Sequence, residues 1–223
     1  MHSTEQRREL RERFTQVDTA NVADVLDDMG LLNQGLSSEL MDLGAGRIAG
    51  WAFTISGQMA PFDGDGDARK MQACGEVGEG EITVWSGNGS GVCYFGELIA
   101  LGMVERGSVG AVLDGGIRDV RWLSEHGFPV FARYRTPVQS IKRWRVTEWQ
   151  VPVYMPGATT EHVVVHPGDF VLGDEDGLIV VPAEHVETVL EQAEEMTRTE
   201  VRIREALQSG MSLSEALEQF GHV

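Results

Sequence analysis

Hydrophobic positions recur with two different periods along the chain, and together they predict an α/β fold. A period of three to four residues predicts helices over 4–17 and 19–29, and a long helix over about 183–208. Short apolar runs bounded by glycine, proline and acidic residues predict strands over 47–57, 81–86, 109–114, 129–133, 145–153, 162–166, 169–173 and 178–181. A short helix is expected after Ser212, because Ser212 and Glu215 have the spacing of a capping box.

One helix-to-strand unit in the middle of the chain is the most informative. A helix over 95–105 leads through a turn into a buried strand over 109–113, and twenty residues separate Glu97 from Arg118. Glu97 lies at the start of the helix, whereas Arg118 and Asp119 lie just past the end of the strand. We therefore expect the unit to bring these side chains to one edge of a sheet, where α/β sheets usually bind ligands.

The length and composition of the chain indicate a single domain. With 223 residues, 42% of them hydrophobic and 24% charged, it can bury one substantial core. No apolar run reaches the roughly 20 residues of a membrane span, and the charged N-terminal helix differs from a signal peptide, so we expect a cytoplasmic protein without a membrane partner. Cys74 and Cys93 form no CxxC pattern, which argues against a disulfide framework and a thiolate zinc site.

The net charge of −17 limits the partners of the protein. The largest basic cluster is Lys142-Arg143 plus Arg145, so the chain would repel a nucleic-acid backbone and no nucleic-acid partner is expected. The same field repels a small anionic metabolite, and binding one requires a local cation, either an arginine or a bound metal. Arg118 is therefore a candidate ligand-binding residue.

A glycine-rich segment over 87–91 follows the strand predicted over 81–86. Its GxGxG spacing differs from the GxGxxG of dinucleotide-binding loops, and no GK[ST] follows it. Its backbone N–H groups, together with the N-terminus of the next helix, are better suited to a carboxylate.

Two further patterns are weak candidates for metal sites. The acidic segment over 63–67 imitates the start of a calcium loop, but Ala68 stands at the sixth position and Cys74 at the twelfth, where glycine and glutamate are needed. A solvated acidic loop is favoured. His162 and His166 share one face of a predicted strand, but the pair has no third ligand, so ordinary surface or core histidines are favoured.

Arg118 and Asp119 have both a functional and a structural interpretation. A carboxylate beside a guanidinium suits a hydrated Mg²⁺ and the oxygen atoms that it polarises. The glycines of the 114–116 segment indicate flexible backbone just before the pair, and Glu97 projects from the corresponding turn. The pair is equally compatible with a surface ion pair, in which Asp119 is the N-cap of a helix that runs to His126. The residues alone leave both interpretations open.

Three segments of the chain resemble the RraA-like family, which contains the 4-hydroxy-4-methyl-2-oxoglutarate (HMG) aldolases. They are residues 96–119, beginning GELIA and ending DGGIRD, residues 128–131 and residues 167–182. The resemblance covers roughly residues 17–207 and implies a single RraA-like domain over 1–223. It also implies an α/β fold of β/β/α layers, similar to the swivelling phosphohistidine domains, with N- and C-terminal helices. Similar proteins form trimers or hexamers with sites at subunit interfaces, so we expect a homotrimer or hexamer.

The resemblance also implies roles for individual residues. The metal-binding aspartate of the family corresponds to Asp119, with water completing the shell of Mg²⁺ or Mn²⁺, and the substrate-binding arginine corresponds to Arg118. An acid from the C-terminal helix of a partner subunit is expected near the metal. Glu200 is the first candidate for that acid and Glu194 the second.

The segment that receives the carboxylate of the 2-oxo acid through backbone amides corresponds to Gly96, Glu97, Leu98 and Ile99. Glu97 also corresponds to the acid that holds or deprotonates a catalytic water. Many relatives carry aspartate at this position, and the longer arm of glutamate changes the local geometry.

The activity implied by the resemblance is metal-dependent (class II) cleavage of a 4-hydroxy-2-oxo diacid such as HMG to pyruvate and a second oxo acid. Decarboxylation of oxaloacetate would leave the same pyruvate enolate. The alternative is a regulatory protein that binds and inhibits ribonuclease E, as some family members are described to do. Retention of Glu97, Arg118 and Asp119 favours the enzyme.

The lysine content favours a metal over a Schiff base. The chain has only Lys70 and Lys142, and a Schiff-base aldolase needs a desolvated lysine with a lowered pKa. Lys70 follows an acidic loop and Lys142 adjoins Arg143, so neither is expected to be desolvated.

Overall fold

The chain folds into an α/β structure with helices at both ends. The computed structural model describes residues 2–44, 46–64, 67–87 and 90–221. The helices are α1 (Thr4–Phe14), α2 (Thr19–Asp28), α3 (Ala68–Gly75), α4 (Glu97–Val104), α5 (Val120–Glu125), α6 (Val186–Gln208) and α7 (Leu213–Phe220), with a 3₁₀ turn (Ala183–His185) before α6. The strands are β1 (Met41–Asp42), β2 (Ile48–Met59), β3 (Glu81–Ser86), β4 (Cys93–Phe95), β5 (Gly110–Ile117), β6 (Val130–Arg135), β7 (Trp144–Trp149), β8 (Val153–Pro156), β9 (His162–Val165), β10 (Phe170–Asp174) and β11 (Gly177–Val181).

Most strands belong to one mixed sheet. Its order is β1-β6-β5-β3-β2-β10-β11, with β4 paired to β5 and β7 paired to β2. Strands β2, β3, β5 and β6 run parallel, as does β4 beside β5, whereas β1, β7, β10 and β11 pair with antiparallel neighbours. The parallel strands therefore share one carboxyl edge, to which β3, β4 and β5 contribute their ends.

The sheet separates two layers of side chains. On one face, Val112 of β5 belongs to the same hydrophobic cluster as Met155 of the hairpin formed by β8 and β9. On the other face, Leu113 clusters with Met103 of α4, and α1, α2 and α6 cover the part formed by β2, β10 and β11. Successive strand residues point to opposite faces, so the layers are β/β/α. The expected α/β class, with layered sheet and hairpin and with helices at both ends, is confirmed.

Strand β5 is longer than the sequence pattern predicted. It extends to Ile117, so the 114–116 segment is buried strand, and the expectation of flexible backbone there is wrong. A side chain at Gly115 would overlap the ring of Tyr94. The glycine is needed because the Tyr94 ring packs directly against β5, not because the chain must bend.

Several short elements were not predicted from the sequence. Helix α3 has eight residues and is capped by the side chain of Asp67, and β4 has three residues. The run predicted as one strand over 145–153 is divided into β7 and β8 near Gln150, which has φ 53°. The capping box formed by Ser212 and Glu215 is confirmed at the start of α7.

Two of the candidate loops lie partly outside the described residues. These are the glycine-rich segment, through Asn88 and Gly89, and the acidic segment, through Asp65 and Gly66. Within the described ranges, no helix is both long and apolar enough to cross a membrane.

Candidate active site

The ends of β4 and β5 lie side by side and join the two parts of the predicted site. Phe95 pairs with Ile117 in the parallel register, and the backbone N–H of Arg118 donates to the carbonyl oxygen of Phe95 over 3.1 Å. Gly96 follows β4 directly as the N-cap residue of α4, and Asp119 follows Arg118. The first turn of α4 and the arginine–aspartate pair therefore share one edge of the sheet.

Asp119 has a left-handed backbone conformation, with φ 58° and ψ 31°. It occupies the N-cap position of α5, but its side chain makes no capping hydrogen bond to that helix. Its Oδ2 atom instead accepts a hydrogen bond of 3.1 Å from the backbone N–H of Glu97 and lies 3.5 Å from Nε of Arg118. The N-cap interpretation is thus wrong for the side chain, which reaches the N-terminus of α4, where the helix dipole favours an anion. Strained backbone of this kind is concentrated at functional sites.

Gly96 permits the close approach between α4 and Asp119. Its φ of −178° is extended backbone that any residue adopts. A Cβ atom at this position, however, would lie 2.6 Å from Oδ2 of Asp119 and 3.0 Å from Cγ of Arg118. The absence of a side chain at Gly96 is therefore what allows the carboxylate to reach the helix.

The first turn of α4 retains N–H groups for a ligand. The N–H of Glu97 donates to Asp119, and that of Ala100 donates to the carbonyl oxygen of the N-cap residue over 3.0 Å. The N–H groups of Leu98 and Ile99 lie between them in the first helical turn, where intrahelical acceptors are lacking. Two backbone donors and the positive end of the helix dipole are thus suited to a carboxylate.

A cavity of about 320 Å³ lies beside this edge. Its lining includes Gly96, Leu98, Ile99, Arg118 and Asp119. Helix α3 and residues 139–141 form other parts of the wall. The volume is at the lower end of the range for small-molecule sites, which suits a compact metabolite.

Glu97 differs from the other predicted site residues. Its backbone N–H holds Asp119, but its half-buried side chain is not part of the cavity lining. The structure therefore brings Gly96, Leu98, Ile99 and the arginine–aspartate pair to the cavity, and it leaves the carboxylate of Glu97 at the margin. Its role as a proton acceptor stays a prediction.

Lys70 is an unexpected part of the cavity wall. It is 7% exposed, and its Nζ atom donates to the carbonyl oxygen of Tyr94 over 3.3 Å and to Oγ of Ser140 over 3.2 Å. Burial lowers the pKa of Lys70 below its usual value, and the charge of Asp67 opposes that shift. The expectation that Lys70 is not desolvated is therefore wrong.

Asp119 and Asp67 are the carboxylates of the described cavity wall, and Asp119 is the one at the end of β5. Across the described ranges, no three His, Cys, Asp or Glu side chains are grouped to hold a metal ion. Mg²⁺ often binds through one or two carboxylates and keeps several water ligands, so a single aspartate fits this ion. Oδ2 accepts the N–H of Glu97, which leaves Oδ1 for a metal ion.

The two acids proposed to reach a neighbouring subunit lie on α6 and have different surroundings. Glu194 forms two hydrogen bonds of 2.9 Å with Arg13 of its own chain, and these bonds lower the pKa of Glu194. Glu200 lies six residues further along the helix and is half-buried. Because Glu194 is held within its own chain, Glu200 remains the better candidate.

The weaker metal candidates have ordinary surroundings. His162 and His166 lie on the exposed face of the β9 segment, and the ring of His162 contacts that of Tyr154. Asp67 accepts hydrogen bonds from the backbone N–H groups of Lys70 and Val146. The carboxylate of Asp67 therefore organises α3 and β7.

A second cleft of about 320 Å³ lies between α1 and β3, and two of the three arginines in its lining have acidic partners. Arg8 lies 2.7 Å from Glu79, and Arg7 lies 3.6 Å from Glu81. Arg11 forms no ion pair with the described residues, but none of the predicted site residues lines this cleft. The cavity at Asp119 is the better candidate because it contains Gly96, Arg118 and Asp119 together.

Known proteins resemble the chain over most of its length. The family described as RraA-like, Aldolase/RraA, matches residues 19–180. A candidate 4-hydroxy-4-methyl-2-oxoglutarate aldolase of Halalkalibacterium halodurans is 31% identical over 213 residues, which cover 94% of this chain and 94% of that protein. Protein DlpA of Legionella pneumophila is 27% identical over 95% of this chain, and the chain spans only 34% of the length of DlpA.

A solved structure also resembles this chain in its fold. Streptomyces coelicolor RraAS2, described as an unusual member of the RNase ES inhibitor RraA protein family, superposes with a TM-score of 0.75 and 26% sequence identity. The superposition covers 88% of this chain and 96% of that one. The family match, the full-length relative and the shared fold agree, and the chain belongs to the RraA-like family.

Proposed function

We propose that the protein is a divalent-metal-dependent (class II) aldolase. It cleaves a 4-hydroxy-2-oxo diacid, such as 4-hydroxy-4-methyl-2-oxoglutarate, to pyruvate and a second oxo acid. The observation that carries the proposal is the 3.1 Å hydrogen bond between the Glu97 N–H and Oδ2 of Asp119, because it joins a carboxylate, the adjacent Arg118 and a helix N-terminus beside one cavity. The family and the similarity to a candidate HMG aldolase support it.

The chain has suitable groups to hold the 2-oxo acid. The N–H groups of Leu98 and Ile99 receive the C1 carboxylate at the N-terminus of α4. Arg118 adds a guanidinium whose planar donors suit oxygen anions, and it shares the negative charge that develops as the carbon–carbon bond breaks. Charge stabilisation of this kind by fixed donors is usually the largest single contribution to such reactions.

Asp119 would hold Mg²⁺ or Mn²⁺ in this mechanism. The ion, when bound, supplies a Lewis acid that polarises the keto oxygen of the substrate. Glu97, directly or through a water molecule, takes the proton of the C4 hydroxyl, and C4 becomes the carbonyl carbon of the second oxo acid as the C3–C4 bond breaks. The electrons of that bond form the pyruvate enolate, and protonation of its C3 atom gives pyruvate. Loss of CO₂ from oxaloacetate leaves the same enolate, so oxaloacetate decarboxylation is proposed as a second activity.

The proposed assembly is a homotrimer or hexamer with its sites at subunit interfaces. The cavity lies at the surface edge of the sheet, and its aspartate is the only acid among the predicted metal ligands that this protomer supplies there. Glu200 of α6 is the acid proposed to complete the site of a neighbouring protomer. This arrangement makes the site dependent on assembly.

Pyruvate release tests the proposal directly. Purified protein is mixed with HMG or oxaloacetate and Mg²⁺, and pyruvate is followed with a coupled dehydrogenase. We expect turnover with Mg²⁺ or Mn²⁺ and none after the ion is removed. Pyruvate release no faster than in protein-free reactions with the same substrate and metal, for both substrates and every metal tested, would reject the enzyme.

A regulatory protein that binds ribonuclease E is the second candidate. The net charge of −17 suits docking to an arginine-rich segment, and RraAS2 carries the description of a ribonuclease inhibitor family. The enzyme is favoured because a docking protein has no need of a strained aspartate at a helix N-terminus. Binding to a ribonuclease E scaffold without pyruvate release would favour the regulator.

A further inference from the structure

Lys70 brings a second positive charge to the cavity that contains Arg118. Its Nζ atom has two acceptors in the described part of the chain, the carbonyl oxygen of Tyr94 at 3.3 Å and Oγ of Ser140 at 3.2 Å, and both are neutral. An ammonium group has three donors, so one remains. The side chain is thus a buried cation with hydrogen-bonding capacity left for a ligand.

The acids of the cavity wall are already engaged elsewhere. Oδ1 of Asp67 accepts the backbone N–H of Lys70 over 3.2 Å, and Oδ2 accepts the N–H of Val146 over 2.9 Å. Asp119 is held by the N–H of Glu97 and by Arg118. Neither carboxylate forms an ion pair with the ammonium group of Lys70.

Burying a cation without an ion-pair partner is costly, and the charge of Asp67 offsets only part of that cost for Lys70. Removing an ion from water is unfavourable unless a counter-ion compensates for the lost hydration. Burial lowers the pKa of Lys70, which reflects that penalty. The chain has 35 acidic residues, yet this lysine is packed against neutral oxygen atoms at a ligand-sized cavity. An anionic ligand group would supply the missing counter-ion.

The two cationic residues are connected to neighbouring residues of one short strand, β4, Lys70 through its side chain and Arg118 through its backbone. Lys70 binds the carbonyl oxygen of Tyr94, whereas the backbone N–H of Arg118 binds that of Phe95, the next residue of β4. They therefore flank the same stretch of cavity wall. Lys70, Arg118 and the first turn of α4 all line this cavity, so a ligand with two acidic groups has more than one positive partner there.

We propose that Lys70 binds the second carboxylate of the substrate and makes the site selective for 2-oxo diacids over 2-oxo monoacids. This inference rests on the proposed oxo-acid site, and it assigns the C1 carboxylate to the N-terminus of α4 and the distal carboxylate to Lys70. A charge-assisted hydrogen bond in a partly dry cavity is worth about a 10- to 100-fold change in affinity. Lys70 is a specificity-determining residue in this scheme and takes no covalent part.

Calorimetric binding of two matched ligands in the presence of Mg²⁺ tests the proposal without turnover. 2-Oxoglutarate and 2-oxopentanoate have the same five-carbon chain and differ only in a carboxylate or a methyl group at the far end. We expect the wild type to bind 2-oxoglutarate about 10- to 100-fold more tightly. We expect Lys70→Met to remove that preference while affinity for 2-oxopentanoate changes less than about threefold.

Arg69→Met is the matched control, because it removes a positive charge from the same helix. The Arg69 guanidinium faces away from the cavity, where it donates to the carbonyl oxygen of Thr147 and lies 5.5 Å from the ring of Trp149. The preference for 2-oxoglutarate should survive in this variant. Lys70→Gln is the second test variant should Lys70→Met fail to fold, as judged by circular dichroism, and Lys70→Arg should retain the preference.

The outcomes separate this inference from the proposed function. An equal diacid preference in wild type and Lys70→Met, or no preference in the wild type, overturns the role of Lys70. Trapping of Lys70 by borohydride in the presence of pyruvate also overturns it, because the lysine would then be a covalent nucleophile. A Lys70-dependent preference in a protein that releases no pyruvate would uphold this inference and reject the aldolase.

Discussion

The backbone N–H of Glu97 and the Oδ2 atom of Asp119 are joined by a 3.1 Å hydrogen bond, although 22 positions separate the two residues in the chain. The bond couples the first turn of α4 to the end of β5. A carboxylate that would otherwise cap its own helix is thereby held at the N-terminus of another, and this places Arg118 beside the same cavity.

Gly96→Ala should inactivate the protein without unfolding it. The new Cβ atom would lie 2.6 Å from Oδ2 of Asp119 and would push the carboxylate away from α4. We expect kcat/KM for pyruvate release to fall at least about 100-fold. Gly102→Ala in the same helix is the control, because nothing lies within 4 Å of its Cβ position; it should keep activity and gain about 0.5–1 kcal/mol of stability. Full activity of Gly96→Ala would contradict the close approach.

Replacement of the charged pair should affect turnover far more than folding. The side chains of Arg118 and Asp119 are 46% and 37% exposed, and exposed ion pairs contribute about 0–1 kcal/mol to stability. Arg118→Ala and Asp119→Ala should each lower kcat/KM about 100-fold or more while the melting temperature changes little. Arg121→Ala, which removes a 90% exposed guanidinium paired with Glu125, is the control. It should leave kcat/KM and the melting temperature unchanged. Comparable losses in all three variants would argue against a special role for the pair.

Metal removal should abolish activity reversibly. Dialysis against EDTA is expected to stop pyruvate release, and added Mg²⁺ or Mn²⁺ should restore it, because Asp119 is proposed to hold the ion. Borohydride treatment with pyruvate should leave Lys70 and Lys142 unmodified in intact-mass measurements. Activity that persists in EDTA, together with a lysine adduct, would replace the metal by a Schiff base.

Gly115→Ala should destabilise the fold. The added methyl group would overlap the ring of Tyr94, which is stacked on Trp144 at a centroid distance of 4.1 Å and has little room to move. Overpacking of this kind costs about 1–3 kcal/mol, measurable as a lower urea midpoint. Gly75→Ala has open space around its Cβ position and should change the midpoint little. A neutral Gly115→Ala variant would restore the interpretation of this segment as flexible backbone.

The Cys74 thiol should make the protein less stable at alkaline pH. Burial raises the pKa of Cys74 from 9.0 to about 12. Between these two values the unfolded chain loses the proton and the folded chain keeps it, so the free energy of unfolding falls as pH rises. From pH 8 to 10.5 the wild type should lose about 2 kcal/mol more than Cys74→Ala in urea denaturation. Parallel pH profiles for the two proteins would reject this assignment.

Much of the fold could be predicted because its parallel strands are buried on both faces. The run over 109–113 is a continuous apolar segment, and such runs are typical of central parallel strands. The end of β5 could not be recognised, because glycines at 115 and 116 give no hydrophobic signal. Their need depends on side chains distant in the sequence, Tyr94 at Gly115 and Tyr134 at Gly116. Short elements such as β4 likewise depend on pairing partners that the local sequence does not contain.

The sequence predicted which backbone segments of the site meet, but it did not predict that Lys70 adds a positive charge to the cavity. The spacing of Glu97 and Arg118 indicated a common sheet edge, and those segments do meet. Lys70 was misplaced because lysine beside an acidic loop is usually exposed. A usable signal existed in the helical spacing of Lys70 with Ala73 and Cys74, which are both buried and place the lysine on the inner face of α3.

The missing side chain at Gly96 also limits which positions of the site can change when substrate specificity evolves. The edge that holds the carboxylate is built from main-chain N–H groups and a glycine contact, so any side chain added at Gly96 would displace Asp119. The facing wall is built from interchangeable side chains of α3 and of residues 139–141. Substitution of Lys70, the proposed specificity-determining residue, would therefore change which acids bind. The groups proposed to carry out the reaction would be unchanged.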